Sequence, residues 1–280
     1  MKVIGLVGAG HMGSGLGWAL RAGGHDVVTS LAGRSARTAG LAREAGLRTL
    51  PGLADVVAEA DVILVVTPPG AAIDAATEIA ATGAGATRKP VVDLNAISPM
   101  TAGAAAEVIT AAGFDFVDGS ISGPPPTVRP GATLYLSGPR AAEIAQLRWT
   151  HARPVVVGDR IGAASAVKMS TASVYKGLMG LMAQALRSAA AHDVLAPVMA
   201  DLGEGFGTPY EIALASTKAH RYVAEMREIA ASQAAAGLTP ALFEAFAEVW
   251  ADIADRPLAE GRPETLAREI TAREVTDGLS

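Results

Sequence analysis

Three glycines near the start of the chain have a spacing that suits a phosphate-containing ligand. The run GAGHMG places Gly8, Gly10 and Gly13 where the apolar segment VIGLVG ends and a helical stretch begins. Glycines in this order allow a tight turn, close approach of backbone to a pyrophosphate, and anion binding at a helix N-terminus. The motif, with His11 and Met12 inside it, predicts a dinucleotide site. The alternative is a glycine-rich turn that binds nothing.

The segment after the second predicted strand bears on which dinucleotide binds. NAD sites usually carry an Asp or Glu there, but nothing acidic occurs in residues 27–43. The sequence TSLAGRSART offers Ser30, Arg34, Ser35 and Arg37 instead, and a guanidinium group can hold a 2′-phosphate with two parallel hydrogen bonds. We therefore expect NADP to be preferred, with NAD possible. The alternative is two solvated arginines that open the next helix.

A lysine early in the second half of the chain is the candidate acid or base. Lys168 stands among Ala, Val and Met in IGAASAVKMSTASVYKG, and at 100° per residue Thr171 and Tyr175 fall within about 60° of it on one helix face. Burial beside a cofactor would lower the pKa of this ammonium group and suit it to proton transfer. The alternatives are a lysine that extends its charged end to water and a tyrosine ring that packs in a core.

A polar segment, DGSISGPPPT, interrupts the alternation of helices and strands at residues 118–127. Proline fixes φ and donates no backbone hydrogen bond, so the segment is expected to be irregular rather than a helix interior or a central strand. It follows a predicted strand, FDFVD, at the edge of the sheet where α/β proteins bind ligands. Its N–H groups and hydroxyls are candidate substrate contacts.

Elements that would position these residues follow from the apolar pattern. In the first half, short continuous apolar runs alternate with helical stretches, as in a parallel sheet covered on both faces. After Gly158 the strands stop and helix-forming residues dominate. We predict an α/β protein with a Rossmann-type doubly wound sheet in residues 1–160, followed by an all-α domain in 161–280. Strands are expected at 3–8, 26–31, 61–66, 90–94, 114–118, 132–137 and 154–158.

Composition excludes several other classes. The 280 residues are half apolar, with a net charge of −5 and no cysteine, so the balance suits neither nucleic acid nor an anionic membrane. Disulfides and thiolate chemistry are excluded, and the five histidines do not pair at metal-ligand spacing, so no metal is expected. No window has the roughly 18 apolar residues of a spanning helix. We expect a cytoplasmic protein.

The order of three motifs resembles that of the β-hydroxyacid dehydrogenase family, which includes 3-hydroxyisobutyrate dehydrogenase and 6-phosphogluconate dehydrogenase. The motifs are GAGHMG, a D-x-x-x-S-G run ending at Gly123, and a G-x-x-x-x-x-K run ending at Lys168. The resemblance spans the whole chain and implies Lys168 as the catalytic acid or base. It also implies that Ser122 and Gly123 bind substrate, and that the segments TPP and DLNAISP line the nicotinamide side of the cofactor through Thr67, Pro68 and Asn95.

Four positions depart from the pattern of that family. Its loop proline is Ser120 here, its final loop glycine is Pro124, a glycine before the lysine is Ala164, and the asparagine after the lysine is Thr171. The chain thus looks like a divergent branch with an atypical C-terminal domain. Ser120, Thr171 and Tyr175 complete the candidate substrate-binding set.

These observations predict hydride transfer between a nicotinamide and a small hydroxy acid or keto acid, so we expect a small anionic substrate. Imine reduction is an alternative, because imine reductases resemble the family but usually lack the lysine. A non-enzymatic alternative is an NADP-binding sensor or interaction protein. The resemblance also implies a homodimer. Arg221 and Glu225 have the spacing of a surface ion pair, although His220 or Arg221 could instead face a substrate anion.

Overall fold

The computed structural model describes residues 1–83, 88–203 and 205–280. These residues form two compact units, Met1–Met169 and Ser170–Ser280. The first contains the sheet and the second is built from helices, as the predicted fold class requires.

One eight-stranded sheet organises the first unit. Its spatial order is β3-β2-β1-β4-β5-β6-β7-β8, in which β6 and β7 pair antiparallel and all other neighbours pair parallel. The strand order reverses between β1 and β4, which is where doubly wound sheets bind ligands. The strands are β1 (Val3–Val7), β2 (Asp26–Ser30), β3 (Arg48–Leu50), β4 (Val62–Val65), β5 (Pro90–Asp93), β6 (Asp115–Ser122), β7 (Ala132–Ser137) and β8 (Ala152–Gly158).

Helices cover both faces of this sheet, which explains the continuous apolar strands. Alternate residues of β1 enter different cores, with Ile4 and Leu6 in one cluster and Val7 in another. Both sets are therefore buried. The helices are α1 (His11–Ala22), α2 (Ala36–Glu44), α3 (Leu53–Glu59), α4 (Ala72–Ala81), α5 (Pro99–Ala111), α6 (Ala141–Ala145) and the beginning of α7 (Ala163–Ala191).

Two features of this unit differ from the sequence prediction. The strand β3 and the helix α3 were not predicted, because β3 has only three residues and two of them are exposed. The expectation that residues 118–122 are irregular was wrong, since β6 continues to Ser122 and pairs with β7. The prolines begin only after the strand, and the polar side chains of Asp118 and Ser120 are accommodated in it because both are hydrogen-bonded.

The second unit contains the remainder of α7 together with α8 (Leu195–Leu202), α9 (Pro209–Ser216), α10 (Ala219–Ala235), α11 (Ala241–Ala254) and α12 (Ala272–Gly278). Its core includes Trp250, which is fully buried and meets the Tyr222 ring edge-on at 5.0 Å between centroids. Within the three described ranges, no helix has the length and apolar character needed to cross a membrane.

Candidate functional site

The glycine turn between β1 and α1 has two glycines that the fold itself requires. Gly8 has φ +96°, a conformation that side chains disfavour, and a Cβ at Gly13 would collide with the Gly8 carbonyl oxygen. Gly10 is different, because a Cβ there would have no described atom within 4 Å. The packing of the chain therefore does not explain Gly10, whereas close approach of a ligand to the backbone would.

The same turn forms the N-terminus of α1. Gly10 is the N-cap residue and provides no side-chain cap, and the first turn carries no acidic residue. His11, Met12 and Gly13 supply the first helical N–H groups, which lie at the positive end of the helix dipole. This arrangement can bind a pyrophosphate.

A cavity of about 120 Å³ adjoins the glycine turn at the ends of β1 and β2. Gly8, Ser30, Arg34 and Glu78 are among its lining residues. Ser30 also fixes the local loop, because its hydroxyl donates to the Pro51 carbonyl at 3.3 Å and accepts the Ala32 N–H at 3.3 Å. The cavity lies at the end of β2, where dinucleotide sites contact the adenosine ribose, and Arg34 is the candidate phosphate contact there.

Two of the four residues predicted to contact a 2′-phosphate, Ser35 and Arg37, lie away from this cavity. Ser35 is the N-cap of α2, and its hydroxyl accepts the Thr38 N–H at 3.2 Å. Arg37 lies in the first turn of α2. Neither residue is among those that line the described cavity. The structure thus brings Ser30 and Arg34 together with the glycine turn, but not Ser35 and Arg37.

On the other side of the turn, the ends of β4 and β5 carry a connected polar group. The Asn95 Oδ1 atom accepts the Thr67 N–H at 2.6 Å, and the Asn95 side chain is buried. The Thr67 Oγ1 atom is also buried and has no hydrogen-bond partner among the described residues. Pro68 follows Thr67 and is exposed. A buried hydroxyl without a partner is costly, so this hydroxyl suits a bound ligand.

Asp93 supports this group and was missed by the sequence reasoning. It accepts the Asn95 backbone N–H at 2.8 Å and the Asn95 Nδ2 at 3.0 Å. Burial is the main cause that raises the pKa of Asp93, to about 7; the Asp118 charge raises it further, while the Asn95 hydrogen bonds lower it. The signal for it was a carboxylate inside an otherwise apolar strand, PVVD.

Lys168 lies against the end of β6. Its Nζ atom donates to the Ile121 carbonyl at 2.8 Å, so the half-buried amine is next to the predicted substrate residues. Ser122 is the last residue of β6 and pairs with Thr133 of β7. Gly123 follows, exposed and at φ +113°. The first unit therefore brings together Lys168, Ser122 and Gly123.

Asp118 holds the start of α7 on the sheet. Its carboxylate is buried and accepts the backbone N–H groups of Gly162, Ala164 and Ser165 at 3.0, 3.0 and 3.1 Å. It also accepts the hydroxyls of Ser165 at 2.6 Å and Ser137 at 2.8 Å. Four of these five hydrogen bonds come from the start of α7, and they fix the helix end that carries Lys168. The sequence reasoning quoted this aspartate in a motif but gave it no role.

Ser120 belongs to the same junction. Its side chain is fully buried, and its hydroxyl donates to the Ala164 carbonyl at 2.8 Å. It therefore has no exposed surface to offer a substrate, contrary to its inclusion in the candidate set. Its physical role here is to bind the first turn of α7 to β6.

The loop that contains Pro124, Pro125 and Pro126, here called the triproline loop, rests on α1. An alanine Cβ at Gly15 would lie 3.0 Å from the Pro125 Cβ and 3.1 Å from the Pro126 Cδ, so loop and helix are already in close contact. The His151 Nδ1 atom lies 3.1 Å from the Pro126 carbonyl oxygen. The loop that follows Ser122 and Gly123 is thereby held over the helix that begins at the glycine turn.

Two candidate substrate residues belong to the second unit. Thr171 is exposed on α7. Tyr175 is 47 % exposed, so its ring is not a core residue. Burial, with a smaller effect of the Glu211 charge, raises the pKa of Tyr175.

The predicted Arg221–Glu225 pair is present but is not a simple surface pair. The Arg221 Nε atom lies 2.8 Å from Glu225 Oε1, yet the Glu225 carboxylate is buried and also pairs with Lys176. The Lys176 ammonium lies 4.6 Å from the centroid of the Tyr222 ring. A buried carboxylate between two cations therefore joins α7 and α10, a link that the sequence pattern at residues 221 and 225 does not reveal.

Two domain models match the chain. The NAD-binding domain of 6-phosphogluconate dehydrogenase matches residues 3–155. A domain of unknown function matches residues 189–253. No curated protein matches the chain closely enough to count as a relative.

Solved structures share the fold along nearly all of their length. The conserved protein MTH1747, of unknown function and itself structurally similar to 3-hydroxyacid dehydrogenases, is 28% identical, with a TM-score of 0.66 over 90% of this chain and 97% of that one. Mycobacterium tuberculosis 3-hydroxyisobutyrate dehydrogenase, solved with L-serine, is 18% identical, with a TM-score of 0.66 over 100% and 99% of the two chains. Streptomyces aurantiacus imine reductase is 20% identical, with a TM-score of 0.57 over 99% of each.

Proposed function

Because the chain belongs to the β-hydroxyacid dehydrogenase family, with an atypical C-terminal domain, we propose that it transfers hydride between NADP and a small hydroxy acid or its keto counterpart. One observation carries the proposal. Lys168 is hydrogen-bonded to the carbonyl of Ile121, beside Ser122 and Gly123, in the same compact unit as the glycine turn.

The residues present fit a dinucleotide at three points. Gly10 leaves the space that a Cβ would fill, the cavity at Ser30 and Arg34 is next to the turn, and the buried Thr67 hydroxyl lacks a partner among the described residues. The backbone of His11, Met12 and Gly13 would hold the pyrophosphate. Arg34 would hold a 2′-phosphate, because a guanidinium offers paired donors.

A bound nicotinamide would supply or accept the hydride, and the chain would move the proton. In reduction, the Lys168 ammonium donates a proton to the carbonyl oxygen of the substrate. In oxidation, the neutral amine takes the proton from the hydroxyl. A positioned acid or base of this kind contributes roughly 10²- to 10⁴-fold. The Ser122 hydroxyl and the Gly123 N–H would bind the substrate carboxylate.

Lys168 also favours hydroxy acids over imines as substrates. The hydroxyl of a hydroxy acid needs a group that takes its proton during oxidation, and an amine within reach of the substrate provides one. Imine reduction remains the competing activity because the fold is shared with an imine reductase.

The test is a panel of small hydroxy acids, keto acids and cyclic imines, each assayed with NADPH or NADP and with NADH or NAD at the nicotinamide absorbance. We expect turnover with at least one hydroxy acid or keto acid, and higher kcat/KM with the phosphorylated cofactor. Greater activity on cyclic imines than on any hydroxy or keto acid would overturn the proposed substrate class. Binding of the dinucleotide without any turnover would favour a sensor.

A further inference from the structure

The buried carboxylate of Asp93 is hydrogen-bonded to Asn95, which in turn contacts Thr67 on the cofactor side of the site. We infer that Asp93 is a positioning residue for dinucleotide binding: its carboxylate orients the Asn95 amide, and Asn95 holds the Thr67 backbone so that the Thr67 hydroxyl is left to the ligand. The inference rests on the proposed function, because it assumes that the site binds a nicotinamide dinucleotide.

The orientation of the Asn95 amide follows from the chemistry of its two neighbours. An ionised carboxylate only accepts hydrogen bonds, so Asp93 selects the Nδ2 end of the amide. The Oδ1 end then faces the Thr67 N–H, which it accepts at 2.6 Å. A flipped amide would lose both contacts, placing donor against donor and acceptor against acceptor. Only one orientation of the Asn95 amide therefore makes hydrogen bonds to both Asp93 and Thr67.

This arrangement explains why the Thr67 hydroxyl stays without a partner. Asn95 is 2 % exposed, and its amide oxygen is engaged by the Thr67 backbone rather than by the Thr67 hydroxyl. The hydroxyl is nevertheless buried and has no partner within the described part of the chain. It follows β4, next to the turn that contains Gly8, since a Cβ at Gly8 would lie 3.3 Å from the Thr67 Cγ2. A ligand at the glycine turn can therefore meet it.

The pKa of Asp93 lies close to neutral pH, so its ionisation can affect dinucleotide binding. Its register partner on β6 is Asp118, whose charge opposes ionisation of Asp93, and its partner on β4 is the apolar Val65. With a pKa of about 7, Asp93 is increasingly protonated as the pH falls below neutrality. The protonated acid has one hydroxyl donor, which cannot accept a hydrogen bond from Asn95 in the same way. Dinucleotide binding should weaken as Asp93 is protonated.

The test is the Kd of NADPH, measured from nicotinamide fluorescence between pH 6.0 and 8.5, for the wild type and for Asp93→Asn. The variant replaces one acceptor oxygen by a donor and cannot ionise. Asp61→Asn is the matched control, because Asp61 also accepts a backbone N–H, from Val3 at 2.8 Å, but precedes β4 at the opposite end of that strand. The 2′-phosphate of NADPH titrates near pH 6 in all of these proteins, so the difference between variants isolates Asp93.

We expect Asp93→Asn to bind about tenfold more weakly than the wild type at pH 8.5, and to approach the wild-type Kd at pH 6.0. Asp61→Asn should follow the wild-type profile throughout. Thr67→Val, which removes the hydroxyl at nearly constant volume, should weaken binding and remove the extra pH dependence; adding Asp93→Asn to it should change little.

A folded Asp93→Asn variant with the wild-type Kd and pH profile would overturn the inference and leave the proposed function intact. If Asp93→Asn does not fold, the Thr67→Val profile decides, because a profile parallel to that of the wild type would overturn the inference equally. Failure of the wild type itself to bind any nicotinamide dinucleotide would instead contradict the proposed function on which the inference rests.

Discussion

The Nζ atom of Lys168 lies 2.8 Å from the carbonyl oxygen of Ile121, so a side chain of α7 is hydrogen-bonded to the C-terminal end of β6. Ser122 and Gly123 follow Ile121 directly. An amine, a hydroxyl and an exposed N–H are thereby presented by one junction between helix and strand. The Asp118 carboxylate holds this junction in place, because it accepts four hydrogen bonds from the start of α7 and one from Ser137 at the end of β7.

Gly10→Ala should separate ligand binding from folding at the glycine turn. The added Cβ meets no described atom, so the thermal midpoint should stay close to that of the wild type. The Kd of NADPH should rise at least about tenfold, because the methyl group occupies the space of the pyrophosphate. Gly13→Ala is the comparison, and it should destabilise the protein because its Cβ collides with the Gly8 carbonyl. Unchanged NADPH affinity in a folded Gly10→Ala protein would argue for a turn without a ligand.

Arg34→Ala should weaken NADPH binding more than NADH binding. A hydrogen bond to a charged group contributes about 1.5–3 kcal/mol, so the Kd of NADPH should rise roughly 10- to 100-fold. Ser35→Ala is the control, since that hydroxyl caps α2 and its loss should lower the free energy of unfolding by about 1 kcal/mol. Titration of both cofactors by fluorescence checks this. Equal losses for NADPH and NADH in Arg34→Ala would remove the argument for a 2′-phosphate contact.

Gly15→Ala should displace the triproline loop without unfolding the protein. Alanine is the better helix former by about 1 kcal/mol, but its Cβ would press on Pro125 and Pro126 at 3.0 and 3.1 Å. We expect a severalfold rise in the KM of the substrate with little change in the Kd of the cofactor. Gly40→Ala, in α2 with open space around its Cβ, reports the propensity gain alone. Gly15→Ala should therefore gain less stability than Gly40→Ala, and only Gly15→Ala should raise the KM; an unchanged KM in Gly15→Ala would argue against a role of this loop in substrate binding.

Asp118→Asn should destabilise the first unit. The amide would turn a donor toward N–H and O–H donors that now bind a buried carboxylate, at a cost of roughly 2–4 kcal/mol. Urea unfolding followed by tryptophan fluorescence measures the loss. Asp115→Asn on the same strand is the control, because Asp115 pairs with the more exposed Arg88 and Arg140 and its loss should cost about 1 kcal/mol or less. Equal losses in the two variants would contradict the anchoring role of Asp118.

Much of the fold could be predicted because burial on both faces gives parallel strands a continuous apolar sequence. The strands that contain Ile4, Ile63 and Val92 follow this rule. The strand at Arg48–Leu50 does not, because two of its three residues are exposed at the edge of the sheet. The end of β6 was wrongly predicted to be irregular, because its residues are polar. Its aspartate and serine are buried, but most of their partners lie more than 40 residues later in the chain.

The candidate site also contains residues that local sequence predicts and residues whose roles depend on contacts with other elements. Gly8, Gly10, Gly13 and Lys168 were predicted from local spacing, since glycine turns and helix faces are local features. Asp93 could not be given a role from the sequence, because the role inferred for it depends on an amide two residues away and on a threonine that follows the neighbouring strand. Ser120 was assigned to substrate by motif position alone, and only the packing of α7 on β6 reveals that its hydroxyl is used inside the protein.

The central claim is that Lys168 moves the proton while the dinucleotide site works without it. The most direct test is to compare the wild type, Lys168→Ala and Lys168→Arg with the best substrate of the panel, measuring single-turnover hydride transfer and the Kd of NADPH on the same samples. We expect the rate to fall roughly 10²- to 10⁴-fold in both variants, because arginine keeps the charge but does not release its proton, while the Kd changes less than about threefold. A variant that retains the wild-type rate would contradict the account.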